Sequence, residues 1–322
     1  MRTTALHLVP AQKPTMYFVG VTTKKSMIMR VFPAWAKYLD LGDCQIKGID
    51  LKLHDEPGRY REVVQFIKTD PLSLGALVTT HKIDLLHATR DIFDGLDDFA
   101  SLMGEVSSIS KKDGRLLGGA KDPISSGLAL EEFLPAQHWE ETRAQAFIMG
   151  AGGSSVALCS YLVRAPHGTN RPARIFVSNR SPARLSEMEE IHRKEGVDVP
   201  VSYVLSPRPE DNDAVLGSLP PGSLVVNATG LGKDAPGSPI TGSVLFPEKG
   251  FAWDFNYRGD LAFLRQAKEQ ARDRSLTVVG GWLYFIYGWL LVIAEVFHRP
   301  IPFHGPDFDE LCRLAASEKG KE

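Results

Sequence analysis

Apolar runs alternate with amphipathic segments along the chain, a pattern typical of an α/β protein built on parallel strands. In the first part of the chain the pattern predicts strands at residues 16–21, 44–51 and 76–79, and helices at 27–39, at 59–66 and up to Phe93. Residues 106–109 and 115–117 flank the turn Lys112-Asp113-Gly114 and are predicted to form a hairpin.

The later part of the chain continues with a predicted helix at 128–133 and a strand from 142 to 149. Further strands are predicted at 175–178, 201–205, 224–227, 252–255 and 276–279. Helices at 282–297 and 307–316 follow. Strand succeeding helix at this spacing indicates a doubly wound sheet.

We therefore predict an α/β protein with two domains. An α/β domain is expected at residues 16–134, preceded by a mobile leader at 1–15 and rejoined by residues 283–322. A Rossmann-type, doubly wound domain is expected at 135–282. The leader has no apolar core of signal-peptide length, so we do not interpret it as a targeting segment.

Residues 147–155, Phe-Ile-Met-Gly-Ala-Gly-Gly-Ser-Ser, place an apolar strand before glycines and a helix start. Glycines let the backbone approach a pyrophosphate, and a helix N-terminus offers free N–H groups. The candidate phosphate-binding residues are Gly150, Gly152, Gly153, Ser154 and Ser155. Ser155 stands where the fingerprint has its third glycine, and such a turn alone is a weak signal.

The predicted strand at 175–178 ends at Asn179 and Arg180, with Ser181 and Arg184 close behind. At this position an NAD-selective fold usually has an acidic residue, whereas an NADP-selective one has a cation for the 2′-phosphate. The sequence therefore favours NADP. The alternative for the two arginines is a solvated helix start.

Composition narrows the class of protein. The formal net charge of −2 and the pI near 6.5 argue against a general nucleic-acid surface. Three cysteines lie far apart, so neither a disulfide framework nor a metal site is indicated and a reducing cytoplasm is expected. The uncharged run at 276–294 approaches the length of a membrane span. Gly280-Gly281 divide it, however, so a buried strand and helix are expected instead of a membrane segment.

Two residues are candidates for acid–base chemistry. Lys82 follows the predicted strand at 76–79, where open α/β sheets place their ligands, and Asp122 lies at the start of a helix. If the two residues meet at a domain cleft beside a nicotinamide, they could act as acid and base in the interconversion of an alcohol and a ketone while the cofactor transfers hydride. Taken singly, the lysine fits a solvated loop tip and the aspartate a helix cap.

Together, the motifs resemble the shikimate dehydrogenase family in kind and in order. They are Lys25-Ser26-Met27-Ile28, Ala76 to Lys82, Gly104 to Ser108, Gly118 to Asp122, Gly150 to Gly153, Asn179-Arg180-Ser181, Asn227 to Gly230, Asp254 to Tyr257 and Gly280-Gly281. The resemblance covers nearly the whole chain. It implies a substrate-binding domain, an NADP-binding domain to which Asn227, Thr229 and Gly281 contribute, and a catalytic pair formed by Lys82 and Asp122.

The substrate positions depart from the family. The family holds its substrate through two serines, an Asn and a Thr before the lysine, an Asn-Thr pair and a late Gln. Ser26 is kept, and the positions that differ carry Ile28, Ala76, Val78, Ser107, Ser108, Ala120 and Tyr287. Tyr257 and Tyr284 are further candidates to contact substrate. Each lost partner would leave a polar substrate group unpaired, at a cost of about 1–3 kcal/mol.

We therefore expect an NADP-dependent dehydrogenase that acts on a small cyclic substrate other than shikimate, as a monomer or homodimer, without a metal. Arg30, Lys121 and Arg258 are candidates for a new anion contact, with a solvated surface as the alternative for each. Three other functions stay open. They are a genuine shikimate or quinate dehydrogenase, an enzyme of the related amino-acid-dehydrogenase-like architecture that acts on folate or other carriers, and a non-catalytic ligand sensor.

Overall fold

The computed structural model describes residues 6, 8–233 and 235–319. The chain forms two compact units, one from the chain up to Lys121 together with the chain from Gly288 onward, the other from Asp122 to Tyr287. The predicted leader lies partly outside the described residues. Its end is packed against the first unit: Ala11 is buried and its N–H donates to Asp70 Oδ2 at 2.9 Å, and Thr15 already begins the first strand.

The first unit contains six strands and four helices before residue 121. In chain order they are β1 (Thr15–Gly20), α1 (Ile28–Tyr38), β2 (Gln45–Asp50), α2 (Pro57–Thr69), β3 (Ser73–Val78), α3 (Lys82–Thr89), β4 (Gly95–Leu96), α4 (Asp98–Met103), β5 (Ser108–Lys112) and β6 (Arg115–Gly119). A short 3₁₀ helix, Thr23–Lys25, precedes α1.

The six strands form one sheet in the order β2-β1-β3-β5-β6-β4. β1 pairs in parallel with both β2 and β3, while β5 runs antiparallel to β3 and to β6. All six residues of β1 are buried, as expected of a central strand covered on both faces. The predicted strands and hairpin of this region are thus confirmed as a mixed sheet.

The second unit begins with a helix and then alternates strands with helices. Its elements are α5 (Asp122–Glu131), α6 (His138–Thr142), β7 (Ala146–Met149), α7 (Gly153–Leu162), β8 (Ile175–Asn179), α8 (Pro182–Glu195), β9 (Val201–Leu205), α9 (Pro209–Leu216), β10 (Leu224–Asn227), β11 (Phe251–Asp254), α10 (Ala262–Gln270) and β12 (Thr277–Val279). A short 3₁₀ helix, Ala165–His167, follows α7. Two helices end the chain, α11 (Trp282–Val296) and α12 (Pro306–Lys319).

The second sheet is parallel throughout, in the order β12-β11-β10-β7-β8-β9. The strand order reverses beside β7, which is the doubly wound arrangement predicted from the sequence. β7 lies in the middle, and its four residues have no exposed surface. The core on one face of this sheet includes Phe147, Phe246 and Phe263.

Helix α12 returns to the first unit. The indole Nε1 of Trp35, in α1, donates to the carbonyl of Leu311 at 2.8 Å, and both residues are fully buried. Within the part of the chain that the structure describes, no helix has the length and apolarity needed to cross a membrane. The apolar α11 has 15 residues.

Several predicted bounds were wrong. The strand predicted from 142 starts at Ala146, because Thr142 ends α6 and Arg143 turns the chain with φ +55°. The helix predicted at 128–133 begins at Asp122, since serines and a glycine in its first turns hide its periodicity. The helix predicted to reach Phe93 ends at Thr89. The short elements β4 and α4 were not predicted.

Candidate functional site

The turn after β7 has a backbone conformation that requires glycine. Gly150 has φ +111°, and a Cβ there would lie 2.7 Å from the carbonyl oxygen of Ala228. Its N–H donates to the carbonyl of Ser178 at 2.8 Å. This position therefore joins the ends of β7 and β8 to the loop after β10, and any side chain would push them apart.

The next two glycines open α7. Gly152 is the N-cap residue, and no atom lies within 4 Å of the place where its Cβ would be. Gly153 is the first residue of the helix. Ser155 Oγ is buried and has no hydrogen-bond partner among the described residues. An open backbone at a helix N-terminus, with Ser154 in the first turn and an unpaired hydroxyl beneath it, is suited to binding an anion such as phosphate.

The end of β8 carries the residues predicted to select the cofactor. Asn179 Oδ1 accepts the N–H of Ser181 at 3.0 Å, and Ser181 is the N-cap of α8. Arg180 is exposed, whereas Arg184 pairs with Glu187 at 2.7 Å. Since β8 is the parallel neighbour of β7, Arg180 stands at the same sheet edge as the glycine turn.

The loop after β10 is fixed by side-chain hydrogen bonds. Asn227 Oδ1 accepts the N–H of Thr229 at 3.1 Å and its hydroxyl at 2.7 Å. Asn227 Nδ2 donates to Asp254 Oδ1 at 3.1 Å and to the carbonyl of Leu231 at 3.2 Å. Because β10 is the other neighbour of β7, Asn227 and Thr229 also lie at this edge. The structure thus brings the predicted cofactor residues of β7, β8 and β10 together.

Asp254, at the end of β11, is fully buried. Its Oδ1 accepts the hydrogen bonds of Asn227 and of the Asn256 N–H, while Oδ2 has no partner among the described residues. Burial raises the pKa of this carboxyl to about 6, against the opposing effect of the hydrogen bonds from Asn256 and Asn227.

Aromatic rings cluster after β11 and at the start of α11. Tyr257 packs on Phe285 with ring centroids 4.7 Å apart, and Trp282 stacks on Phe285 at 5.4 Å. Tyr284 packs on Phe255 at 4.6 Å. Trp282, Tyr257 and Tyr284 each remain partly exposed. Gly281, just before α11, allows this packing because a Cβ there would lie 2.0 Å from the Phe255 carbonyl oxygen.

In the first unit, Lys82 is the first residue of α3 and is partly exposed. It follows an unusual turn, since the β-branched Thr80 has φ +60° and the His81 N–H donates to the Thr79 carbonyl at 2.5 Å. Such a conformation is costly for threonine and is typical of functional segments. His81 beside it is buried, which lowers its pKa and favours the neutral form of the ring.

No protein-family model matches the sequence. Two curated relatives are named shikimate dehydrogenase (NADP(+)). The protein of Lactococcus lactis subsp. cremoris is 28% identical over 178 residues, which are 55% of this chain and 59% of the relative. That of Streptococcus gordonii is 28% identical over 203 residues, 63% of this chain and 64% of the relative. The chain therefore matches less than two thirds of the length of these relatives.

Solved structures match over almost the whole chain. Shikimate 5-dehydrogenase from Thermus thermophilus, in complex with NADP(H) and shikimate, gives a TM-score of 0.67 at 22% identity and covers 94% of this chain and 99% of its own. Shikimate dehydrogenase from Aquifex aeolicus gives a TM-score of 0.71 at 18% identity, with 97% and 99% covered. The chain has the shikimate dehydrogenase fold and resembles that family in sequence.

Several residues aligned with the substrate positions of the shikimate dehydrogenase family lie elsewhere than predicted. Ile28, Ala76, Val78 and Ala120 have no exposed surface, and Ser107 and Ser108 are almost completely buried. The first four are core residues of the first unit, packed in α1, in β3 and after β6. They offer no surface to a ligand, so the expectation that they lie at substrate-contacting positions is corrected. Ser26, before α1, remains partly exposed.

Tyr287, in α11, also has a structural role in place of the predicted contact with substrate. Tyr287, aligned near the late Gln of the shikimate dehydrogenases, is fully buried and its hydroxyl donates to Glu132 Oε1 at 2.5 Å. Lys121, a candidate anion contact, lies 3.2 Å from both Asp97 and Glu295 within the first unit. Its charge is therefore already paired. Arg30 and Arg258 are exposed.

Asp122 is the first residue of α5 and is partly exposed. This helix packs tightly on α7, since a Cβ on Gly127 would lie 2.2 Å from the ring of Tyr161. α5 therefore connects the candidate acid–base residue to the helix of the glycine turn within one unit.

Asp254 is the residue that sequence reasoning missed. The available signal was an aspartate directly after the buried strand Phe-Ala-Trp.

Proposed function

We propose that the protein is an NADP(H)-dependent dehydrogenase that interconverts a hydroxyl and a keto group on a small ring compound of the shikimate type. The observation that carries this proposal is the phosphate cradle at the start of α7, where Gly152 leaves open space against the backbone. The named relatives are NADP-dependent shikimate dehydrogenases, which supports the same cofactor and reaction.

The residues present fit a dinucleotide. Gly150, Gly152 and Gly153 would receive the pyrophosphate at the N-terminus of α7, with the unpaired Ser155 hydroxyl below it. Arg180 would pair with the 2′-phosphate, because it is exposed at the end of β8 and no acidic side chain among the described residues forms an ion pair with it. The loop at 227–231 would border the nicotinamide side of the cradle, at the end of the neighbouring strand.

NADP supplies the hydride exchange when bound. In the alcohol-to-ketone direction, the Lys82 ammonium would stabilise the negative charge that develops on the substrate oxygen. The Asp122 carboxylate would accept the hydroxyl proton, directly or through the lysine amine. In the reverse direction the same two groups would return the proton to the oxygen.

A shikimate-type substrate is the better of the two candidates. The sequence-based reason to reject shikimate was a set of apolar replacements in the substrate pocket. Ile28, Ala76, Val78 and Ala120 carry most of that reasoning, and all four are core residues without exposed surface. Their identity therefore reflects packing inside the first unit and says little about the ligand.

A different cyclic alcohol is the second candidate. It is favoured by the partly exposed aromatic cluster of Tyr257, Trp282 and Tyr284, which would suit an apolar ring better than a polyhydroxylated one. The two candidates share the cofactor and the Lys82/Asp122 pair.

We further propose a cytoplasmic enzyme that acts as a monomer or homodimer and has a small molecule as its partner.

The test is NADP+ reduction, followed by absorbance, with shikimate, quinate and a panel of less oxygenated cyclic alcohols. Turnover of shikimate at about 10 s⁻¹, the usual order for enzymes, supports the first candidate. Turnover confined to the apolar alcohols selects the second. If NADP(H) binds but no alcohol is oxidised and no ketone is reduced, the dehydrogenase proposal fails and a ligand sensor is the better explanation.

A further inference from the structure

A cavity lies in the Asp122–Tyr287 unit, at the end of α7 opposite the glycine turn. Its volume is about 310 Å³, at the small end of the range of ligand pockets. α7 begins at Gly153, while Tyr161 and Leu162 at its other end line the cavity. The helix rises about 1.5 Å per residue. The distance along α7 from Gly153 to Leu162 therefore exceeds the length of a small ligand, and the cavity and the cradle are separate sites.

The cavity has an apolar floor. Leu130 and Leu134 come from the end of α5 and the segment after it, Trp139 from α6, and Leu162 from α7. All four residues are at most 9% exposed, so each presents only a small part of its surface to the cavity. An aromatic wall with leucines beside it favours a ring-containing ligand, because such a ring gains both apolar burial and ring contact.

The polar part of the lining is held in place before any ligand arrives. The Tyr161 hydroxyl donates to the carboxylate of Glu131. One ring nitrogen of His167 lies 3.0 Å from the Tyr161 carbonyl, and the two rings pack edge to face at 4.8 Å. Asn170 is held at both ends, to the Ala136 carbonyl at 2.5 Å and to the Glu140 N–H at 3.1 Å.

The lining carries a single full charge. Glu131 is exposed, and in the part of the chain described here its carboxylate has a hydrogen bond to Tyr161 and no ion pair. Burial, together with the charges of Arg164 and Arg171, lowers the pKa of His167 and so favours its neutral ring. Arg164, which follows α7, does not line the cavity, and Arg171 is paired with Asp198 at 2.5 Å.

We propose that this cavity binds a small cyclic or aromatic amine, with the ring on Trp139 and the leucines and the ammonium group paired with Glu131. A cation next to a carboxylate and over an aromatic wall is stabilised by both groups. An anionic ring compound would face the Glu131 carboxylate without a partner. The site uses none of the residues proposed for NADP or for catalysis, so it stands independently of the proposed function.

The probe for the test is 2-phenylethylamine, with 2-phenylethanol and 3-phenylpropionate as neutral and anionic matches. Binding is measured by calorimetry on the full chain. We expect a dissociation constant of about 1 mM or below for the amine, as suits a ligand of this size, and at least tenfold weaker binding of the other two. Equal affinity for all three probes, or no amine binding in the millimolar range, would overturn the proposal.

Variants locate the binding. Glu131→Gln keeps an acceptor for the Tyr161 hydroxyl but removes the charge, and Ala136→Phe places a ring at an exposed lining position. Each should weaken amine binding at least tenfold. Glu141→Gln, an exposed carboxylate of α6 outside the lining, is the matched control and should bind as the wild type does.

Thermal unfolding and NADP affinity are measured on the same proteins and should match the wild type. If all variants bind the amine equally, it binds elsewhere and the proposal is wrong. A wild-type protein that does not bind NADP would instead count against the proposed function, so the two failures are distinguished.

Discussion

Asn227 Nδ2 donates to Asp254 Oδ1 at 3.1 Å, so the neighbouring strands β10 and β11 end in a shared amide–carboxyl hydrogen bond. The other atom of the same amide, Oδ1, receives both the N–H and the hydroxyl of Thr229. The loop after β10 is therefore built on the carboxyl group of the next strand. Since the Ala228 carbonyl of this loop lies against Gly150, we expect the shape of the proposed cofactor cradle to depend on Asp254.

Two substitutions at Asp254 separate the role of its shape from that of its charge. Asp254→Asn keeps an oxygen that accepts from Asn227 and Asn256. Its NH₂ group takes the position of Oδ2, which has no hydrogen-bond partner among the described residues. Asp254→Leu removes the acceptor and leaves two buried donors unpaired, at about 1–3 kcal/mol each. We expect at least tenfold weaker NADP binding for the leucine variant and less than threefold for the asparagine variant, measured by calorimetry. Equal affinity in the two variants would show that the loop does not depend on this acceptor.

The pH dependence of stability gives a second test at Asp254. The carboxyl has a pKa of about 6 in the folded protein and about 3.9 in an unfolded chain, so between these values the folded state binds the proton more tightly. This contribution to stability is present below about pH 4 and is lost as the pH rises through about 6.

At neutral pH the buried ionised group therefore destabilises wild type, by up to about 3 kcal/mol. Asp254→Asn should be the more stable protein at about pH 7.5 and should lose this advantage at about pH 4.5. Urea unfolding at both pH values measures the difference. An advantage that is constant with pH would contradict a raised pKa at this residue.

Cofactor selectivity is predicted to depend on Arg180. A charge-assisted bond to the 2′-phosphate contributes about 1.5–3 kcal/mol, so Arg180→Ala should weaken NADP binding by about tenfold to a hundredfold and leave NAD binding unchanged. Arg184→Ala is the matched control, because Arg184 is paired with Glu187 and should matter less. Equal affinities of the wild type for NADP and NAD would contradict the assignment.

The glycine turn offers a pair of alanine substitutions with opposite consequences. At Gly150 the φ of +111° and the 2.7 Å approach to the Ala228 carbonyl make alanine strained, at roughly 1–3 kcal/mol of unfolding free energy or more. At Gly152 the space is open and φ is −90°, so alanine should leave stability unchanged.

The methyl group at position 152 would, however, occupy the space proposed for a phosphate. Gly152→Ala should therefore weaken NADP binding at least tenfold without a change in the melting temperature. Denaturation curves and NADP titrations of both variants check this contrast. A Gly152→Ala protein that binds NADP as the wild type does would place the phosphates elsewhere.

Local patterns were sufficient for much of the fold. The strands at 201–205 and 224–227 have the predicted bounds. Residues 224–227 are a continuous apolar run, which is typical of a buried parallel strand, whereas residues 201–205 form a partly exposed edge strand. The role of Asp254 was out of reach, since it depends on β10 and β11 being neighbours, a contact across 27 residues of sequence. Ile28, Ala76 and Val78 were assigned to substrate positions through the resemblance to the motifs of the family. The sequence could not correct this, because an apolar residue in a core and one in a pocket wall have the same sequence pattern.

The last prediction concerns the chemistry. Lys82 begins α3 two residues after the strained Thr80, and Asp122 begins α5, so each stands on the first turn of a helix that holds its backbone in place. If the two side chains handle one proton, removing either should abolish the same step. Acid–base groups contribute about 10²–10⁴-fold, so Lys82→Met and Asp122→Asn should each lower kcat by that order with NADP affinity unchanged.

The double variant decides whether the two residues act as one unit. Members of a catalytic unit are strongly non-additive, so Lys82→Met combined with Asp122→Asn should be no slower than the slower single variant. Lys121→Met serves as the control lysine, because its ion pairs with Asp97 and Glu295 are structural and its loss should reduce stability more than turnover. If the two single losses multiply in the double variant, or if either single variant keeps near-wild-type kcat on the substrate found in the screen, the pair does not share a proton and the mechanism proposed for this site is wrong.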